Sequence, residues 1–152
     1  MAASNFIIYN KAIVKIATGI INLSSSPIWA VSLHSGYTPS TNSHSTYAQI
    51  VQHISSAGGV SVPQPALGSK TCTNSGGVAT KFDSADINGF TRGGSLFISK
   101  YVALYAPSAS GGGNDNPLLG WLDLNTSSAT GVEASQINLT VPAGGWFKIN
   151  TN

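Results

Sequence analysis

The three histidines are the first residues to consider, because histidine binds metal ions and transfers protons. His34, His44 and His53 lie nine or ten residues apart along the chain. A zinc site needs three or four ligands, which usually include Cys or His pairs at close spacing. This chain has one cysteine and no closely spaced histidines. We therefore predict loop or surface positions for the histidines, and neither a metal site nor a cofactor.

The carboxylates are also few, and Asp83 and Asp86 form their closest pair. A glycosidase needs two carboxylates that face each other across the sugar. Two aspartates within one turn more commonly brace that turn through hydrogen bonds to its backbone. The segment 83–89 also lacks the ligand spacing and the later glutamate of a calcium loop. We therefore expect Asp83 and Asp86 to stabilise a turn.

The remaining nucleophiles and glycine-rich segments match no catalytic motif. Cys72 has no base close in sequence and is expected to be a small, half-buried apolar residue. The glycine run 111–113 lacks the Lys-Ser/Thr ending of a phosphate-binding loop. The segment 93–95 lacks the flanking glycines of a nucleophile elbow. We predict no catalytic residue and expect the protein not to be an enzyme.

Charge is scarce along the whole chain of 152 residues. Charged residues make up 8%, and seven Lys and Arg oppose five Asp and Glu, which gives a formal net charge of +2. Polyanion binders need many cations to displace counterions from phosphates, so no nucleic-acid partner is predicted. The apolar segments are too short for a membrane-spanning helix, and no signal peptide is predicted. A weakly charged surface gives little colloidal repulsion and favours self-association.

The elements that must position these residues are short. A helix over 11–17, with Asn10 as its cap and Gly19 at its end, competes with a strand because Ile and Val are stiff at χ1. The near-continuous apolar run 28–34 predicts a buried strand. Apolar residues at helical spacing predict one short helix over 46–54.

From residue 60 onward, short strands are predicted to alternate with turns. The predicted features are a hairpin of 70–73 with 78–82, a turn at 86–89, strands over 96–105 and 118–124, and a terminal hairpin of 135–141 with 145–149. This pattern predicts one mainly β domain over 1–152, an antiparallel β-sandwich or jelly-roll-like barrel with one or two short helices.

The first apolar segment and one tryptophan are the candidate contact residues. Within an N-terminal arm over 1–10, the run from Phe6 to Tyr9 has no partner strand close in sequence. It either adds a strand to the exposed edge of a neighbouring subunit or forms the first strand of the protein's own sandwich. Trp146 follows two glycines and is expected to be the most exposed of the three tryptophans. The predicted interface residues are Phe6, Ile7, Ile8, Tyr9 and Trp146.

The order of the segments resembles that of small virion structural proteins of tailed bacteriophages and prophages. The resemblance covers most of the chain, and each matching block is short. The segment 58–67, with its two prolines, departs from the Gly-Tyr-rich segment of that family. The matching blocks are residues 10–12, 20–23, 29–33, 35–39, 82–86, 103–105, 117–124 and 145–149, together with His44 and Tyr47.

The resemblance implies a non-enzymatic β-rich virion protein. The role closest to it is a capsid decoration, or cement, protein, made in the bacterial host cytoplasm and bound to the outer surface of the capsid. Its partner would be the major capsid protein, and a dimer or trimer would suit the local symmetry axes of the shell. The alternatives are a tail-associated protein, a carbohydrate- or receptor-binding module, and a small hydrolase acting through Asp83 or Asp86.

Overall fold

Short strands separated by turns make up most of the computed structural model, which describes residues 6–75, 79–107 and 115–150. In chain order the elements are β1 (Ile7–Ile8), α1 (Asn10–Ala17), β2 (Trp29–Leu33), two 3-10 turns (Tyr47–Gln49 and Val51–His53), β3 (Ser56–Ala57), β4 (Val60–Ser61), β5 (Thr71–Ser75), β6 (Ala79–Asp83), β7 (Ile87–Thr91), β8 (Phe97–Ser99), β9 (Tyr101–Tyr105), β10 (Leu118–Asp123), β11 (Val132–Ala134), β12 (Gln136–Leu139) and β13 (Phe147–Asn150).

The strands in the described part of the chain pair antiparallel. One sheet has the order β1-β10-β9-β2, and a second has the order β13-β6-β5. The two-stranded pairs are β12 with β7, β11 with β8, and β3 with β4. This arrangement confirms the predicted fold class, a mainly β, sandwich-like domain with a short helix. In the described part of the chain, no helix has the length and apolar character needed to cross a bilayer.

The four-stranded sheet separates two apolar clusters because successive side chains of a strand point to opposite faces. On one face, Ala30, Val102 and Leu104 pack into the main core, which Phe82, Phe90 and Phe97 fill from the other sheets. On the opposite face lies a second cluster, which the start of α1 and the segment 34–54 cover. Its buried members are Tyr9, Ala12, Val31, Leu33, Tyr37, Ile50, Ala103, Tyr105 and Leu118.

The two predicted helices have different outcomes. The first forms as α1, with Tyr9 as the N-cap and Asn10 as the first helical residue. Gly19 follows its end with a φ of 75°, a left-handed conformation that glycine adopts without strain. The predicted helix over 46–54 is instead two 3-10 turns. A capping box of Thr46 and Gln49 starts the first turn, and it ends at Ile50, whose φ is −118°.

Three predictions about the strands also need correction. The strand predicted over 96–105 is split into β8 and β9 at Lys100, because β8 pairs with β11 whereas β9 pairs with β2 and β10. The turn predicted at 86–89 is the start of β7. The prediction that 135–141 and 145–149 form a hairpin is wrong, because β12 pairs with β7 and β13 pairs with β6.

Other predicted strands are confirmed. β2 and β10 form within the predicted segments 28–34 and 118–124. The strands of the hairpin predicted around residue 75 pair as β5 and β6. Residues 76–78 of its turn and the glycine run 111–113 lie outside the described residues.

Candidate functional site

The predicted contact segment is a strand of the protein's own sheet. β1 pairs with β10, with Ile7 opposite Trp121 and Ile8 opposite Gly120. The Tyr9 amide continues the ladder by donating to the Leu119 carbonyl at 3.0 Å. Ile7 and Ile8 therefore form a strand of the protein's own sheet, which is the second of the two interpretations given for this segment. Residues 1–5 of the candidate arm lie outside the described residues.

Phe6 connects this first strand to the last one. Its ring lies edge-on to Trp146 with centroids 5.4 Å apart, and stacks on Phe147 with centroids 5.8 Å apart. Gly120 leaves room for the ring, because a Cβ at this position would overlap both Phe6 and the Ile7 carbonyl oxygen. The beginning and the end of the described chain are thereby packed together.

The five predicted interface residues differ in exposure. Trp146 is only 4% exposed, and its indole Nε1 donates to the Ser84 hydroxyl at 2.9 Å. The expectation that it is the most exposed tryptophan is wrong, since Trp29 is 37% exposed. The aromatic contact with Phe6 covers it. Tyr9 is fully buried, so Ile7 is the exposed member of the set, with Phe6 and Ile8 half-buried.

An apolar groove lies beside this junction, between α1 and β13. It has a volume of about 280 Å³. One wall belongs to β1 and α1, and the other belongs to β13. Its lining residues are Ile8, Ile13, Ile16, Ala17, Phe147, Lys148 and Ile149.

The helix extends this apolar surface out of the groove. Ile13 is 54% exposed and Val14 is 61% exposed. Both are β-branched, so they favour helices little, and at this exposure they gain little from packing. Large contiguous patches of exposed apolar residues are a feature of interaction sites, which makes this surface the candidate site. We call the groove lining together with Val14 the α1–β13 surface.

On the other face of the four-stranded sheet, tyrosines and histidines form a polar aromatic layer. The Tyr9 and Tyr37 hydroxyls are 2.5 Å apart, and the Tyr37 hydroxyl lies 2.7 Å from His44 Nδ1. Burial raises the pKa of Tyr9 far above its ordinary value, and its hydrogen bond to Tyr37 raises that pKa further. Burial also raises the pKa of Tyr37. Both tyrosines are therefore neutral hydrogen-bonding groups, which tie the start of α1 to the segment 34–54.

The histidines come together around Tyr37. The rings of His34 and His53 are 5.5 Å apart, and the His53 ring is also 5.5 Å from that of Tyr37. Burial lowers the pKa of His44. Burial, followed by repulsion from His34 and His44, lowers the pKa of His53. In the described ranges, no three His, Cys, Asp or Glu side chains are grouped so as to hold a metal ion.

A second polar junction closes the other end of this layer. The Tyr105 hydroxyl donates to Gln64 Oε1 at 2.7 Å, and Gln64 Nε2 donates to the Tyr47 hydroxyl at 2.8 Å. Burial, and then repulsion from Tyr47, raises the pKa of Tyr105 to about 12. This junction fixes the first 3-10 turn on the sheet.

The two aspartates considered for catalysis make structural contacts. Asp83 accepts from Lys81 Nζ at 2.8 Å and from the Ser84 amide at 2.9 Å. Asp86 accepts from the Val141 amide at 2.8 Å. Asp83 therefore braces the backbone beside it, as predicted for an aspartate of a turn. Asp86 does not brace its own turn, as was predicted, because its hydrogen bond goes to the distant Val141. Cys72 is half-buried against the main core, also as predicted.

The α1–β13 surface was missed by reasoning from the sequence, although α1 carries a signal for it. The helix has apolar residues around more than one face, and a helix that packs on a core by one face needs only one such stripe. Comparison with protein-family models, with curated proteins and with solved structures gives no match for this chain.

Proposed function

We propose that this protein is a structural component of a tailed-phage virion, a capsid decoration protein that binds the major capsid protein on the outside of the shell. The sequence resemblance supplies the class of protein. The observation that carries the proposal is the α1–β13 surface, an apolar groove continued by the exposed Ile13 and Val14.

Binding at this surface has a clear physical gain. Each square ångström of apolar surface removed from water contributes about 25 cal/mol. Among the described residues that line the groove, Lys148 is the only charged one. Docking would therefore desolvate few ions, a step that is costly when their pairing is imperfect.

Repetition suits a protein of this kind. Many identical copies on one shell turn weak contacts into stable coverage. A dimer or trimer seated on a local symmetry axis would bring several copies of the α1–β13 surface onto neighbouring capsid subunits. In this role the protein bridges shell subunits and has no catalytic step.

The experiment is a binding assay with purified protein and two kinds of phage particle. Tailless capsids that lack the protein and purified tails are incubated separately with it and then sedimented. We expect the protein to sediment with capsids, and negative-stain images of a labelled copy to place it on the shell. Binding to tails alone, or binding of a glycan on an array without binding to capsids, would replace the proposal with the tail-associated or the receptor-binding alternative.

A further inference from the structure

The outer edge of β13 is a second feature of the α1–β13 surface. Within the described residues, β13 is the end strand of the β13-β6-β5 sheet and has β6 as its single partner strand. An end strand presents main-chain donors and acceptors that another extended segment can pair with. Here that edge runs along an apolar groove, so side chains of an added strand would have a place to pack.

The charges on β13 suggest which side chains an added strand would carry. Lys148 lies directly opposite Lys81 in the β13–β6 register. Lys81 Nζ is bound to Asp83 at 2.8 Å and to the Ala143 carbonyl at 3.2 Å. Lys148 is exposed and makes no ion pair within the described residues. Like charges directly opposite each other across strands are destabilising, so an acidic side chain beside Lys148 would relieve this repulsion.

We infer that β13 accepts an extended segment of the capsid shell as an added strand, in which apolar residues alternate with acidic ones. Apolar side chains would lie on the face of Phe147 and Ile149 and fill the groove. Acidic side chains would lie on the face of Lys148, because side chains alternate with a period of two. A second copy of β13 is a poorer occupant, since it would add a third lysine to a face whose carboxylate, Asp83, is already bound to Lys81.

The probes are four seven-residue peptides. One alternates valine and glutamate, and one alternates valine and lysine. The other two are valine–glutamate peptides N-methylated at all odd or all even positions, which removes one set of main-chain donors. Binding is measured by calorimetry, and the site is located by amide shifts of Phe147–Asn150.

The valine–glutamate peptide is expected to bind on the order of fivefold more tightly than the valine–lysine peptide, from the energies of cross-strand charge pairs. Lys148→Glu should reverse this preference, whereas Lys11→Glu, on the first turn of α1, should leave it unchanged. N-methylation in one of the two phases should abolish binding. Absence of binding, equal effects of both N-methylations, or a preference that Lys148→Glu does not change would each overturn the inference.

This inference rests on the proposed function, and the two fail separately. If the protein sediments with capsids but binds none of the peptides, strand addition is wrong and capsid docking stands. If the peptide binds and the protein does not sediment with capsids, the edge accepts a strand but the proposed partner is wrong.

Discussion

Phe6 stacks on Phe147 with ring planes 16° apart, and this contact joins the first described strand to the last. Residues separated by more than 130 positions thereby form the walls of one groove, with Ile8 on one side and Ile149 on the other. The α1–β13 surface therefore exists only when β1 is docked on β10 and β13 is paired with β6. Substitutions that loosen β1 should affect this surface before they affect the main core.

Gly120→Ala tests the packing of β1 against β10. The added Cβ would overlap the Phe6 ring and the Ile7 carbonyl oxygen. Overpacking of this kind costs about 1–3 kcal/mol, and we expect a loss of that size in the free energy of unfolding by urea. Hydrogen exchange of the Tyr9 amide should become faster. Gly144→Ala is the control, since a Cβ there has no neighbour within 4 Å. Equal stability of the two variants would show that β1 is not held as described.

Tyr37→Phe tests the polar aromatic layer. The substitution removes the hydroxyl that bonds both Tyr9 and His44 and leaves the buried Tyr9 hydroxyl without its partner. The cost of an unsatisfied buried group predicts a loss of about 1–3 kcal/mol in the free energy of unfolding. Tyr47→Phe loses one hydrogen bond, from Gln64, at a partly buried position, and should lower the free energy of unfolding by less. The reverse order of the two variants would contradict the network.

The histidines predict that stability depends on pH. The folded-state pKa values of His44 and His53 lie below their ordinary value of 6.5. The unfolded chain therefore binds more protons below about pH 7, and stability is lost as the pH falls through the folded-state values. Urea midpoints between pH 7.5 and 5.5, a range in which carboxylates titrate little, should fall with decreasing pH. His53→Gln should flatten this slope. A midpoint that stays constant or rises on acidification would contradict the prediction.

Lys100→Met tests the buried side-chain contacts of the residue that lies between β8 and β9. The ammonium of Lys100 is almost fully buried, lies 2.8 Å from an Asp123 oxygen, and donates to two loop carbonyls. Because Asp123 stays partly exposed, its loss of a partner is moderated by water, and we expect a destabilisation of about 1–3 kcal/mol. Lys11→Met, at an exposed position, is the control and should change stability little. A Lys100→Met variant as stable as this control would show that the loop contacts contribute nothing.

Sequence patterns predicted the elements that depend on neighbouring residues alone. The run 28–34 is apolar enough to identify β2, and the glycine after α1 marks the end of the helix. Long-range pairing was not accessible in this way, because β12 and β13 find their partners in β7 and β6 rather than in each other. Long-range folding also explains why the clustering of the three histidines could not be predicted. Residues ten positions apart form one layer only because the segment 34–54 folds back over the sheet around Tyr37.

The burial of Trp146 could not be predicted either, because it depends on a residue far away in the sequence. Two preceding glycines favour an open turn, yet Phe6 covers the indole from the other end of the described chain. The exposed apolar face of α1 is a different case, since its excess of apolar residues is visible in the sequence. That excess indicates a contact surface, but its groove becomes visible only with β13 in place.

The most direct test of the proposed function compares two single variants in sedimentation with capsids that lack the protein. Ile13→Asn places a polar amide on the α1–β13 surface. Val60→Asn makes the same kind of change at a similarly exposed residue, 53% accessible, on β4. We expect Ile13→Asn to weaken capsid binding by about tenfold or more, as the loss of a buried apolar side chain implies, and Val60→Asn to bind like the unaltered protein. Equal capsid binding by both variants would contradict docking through this surface.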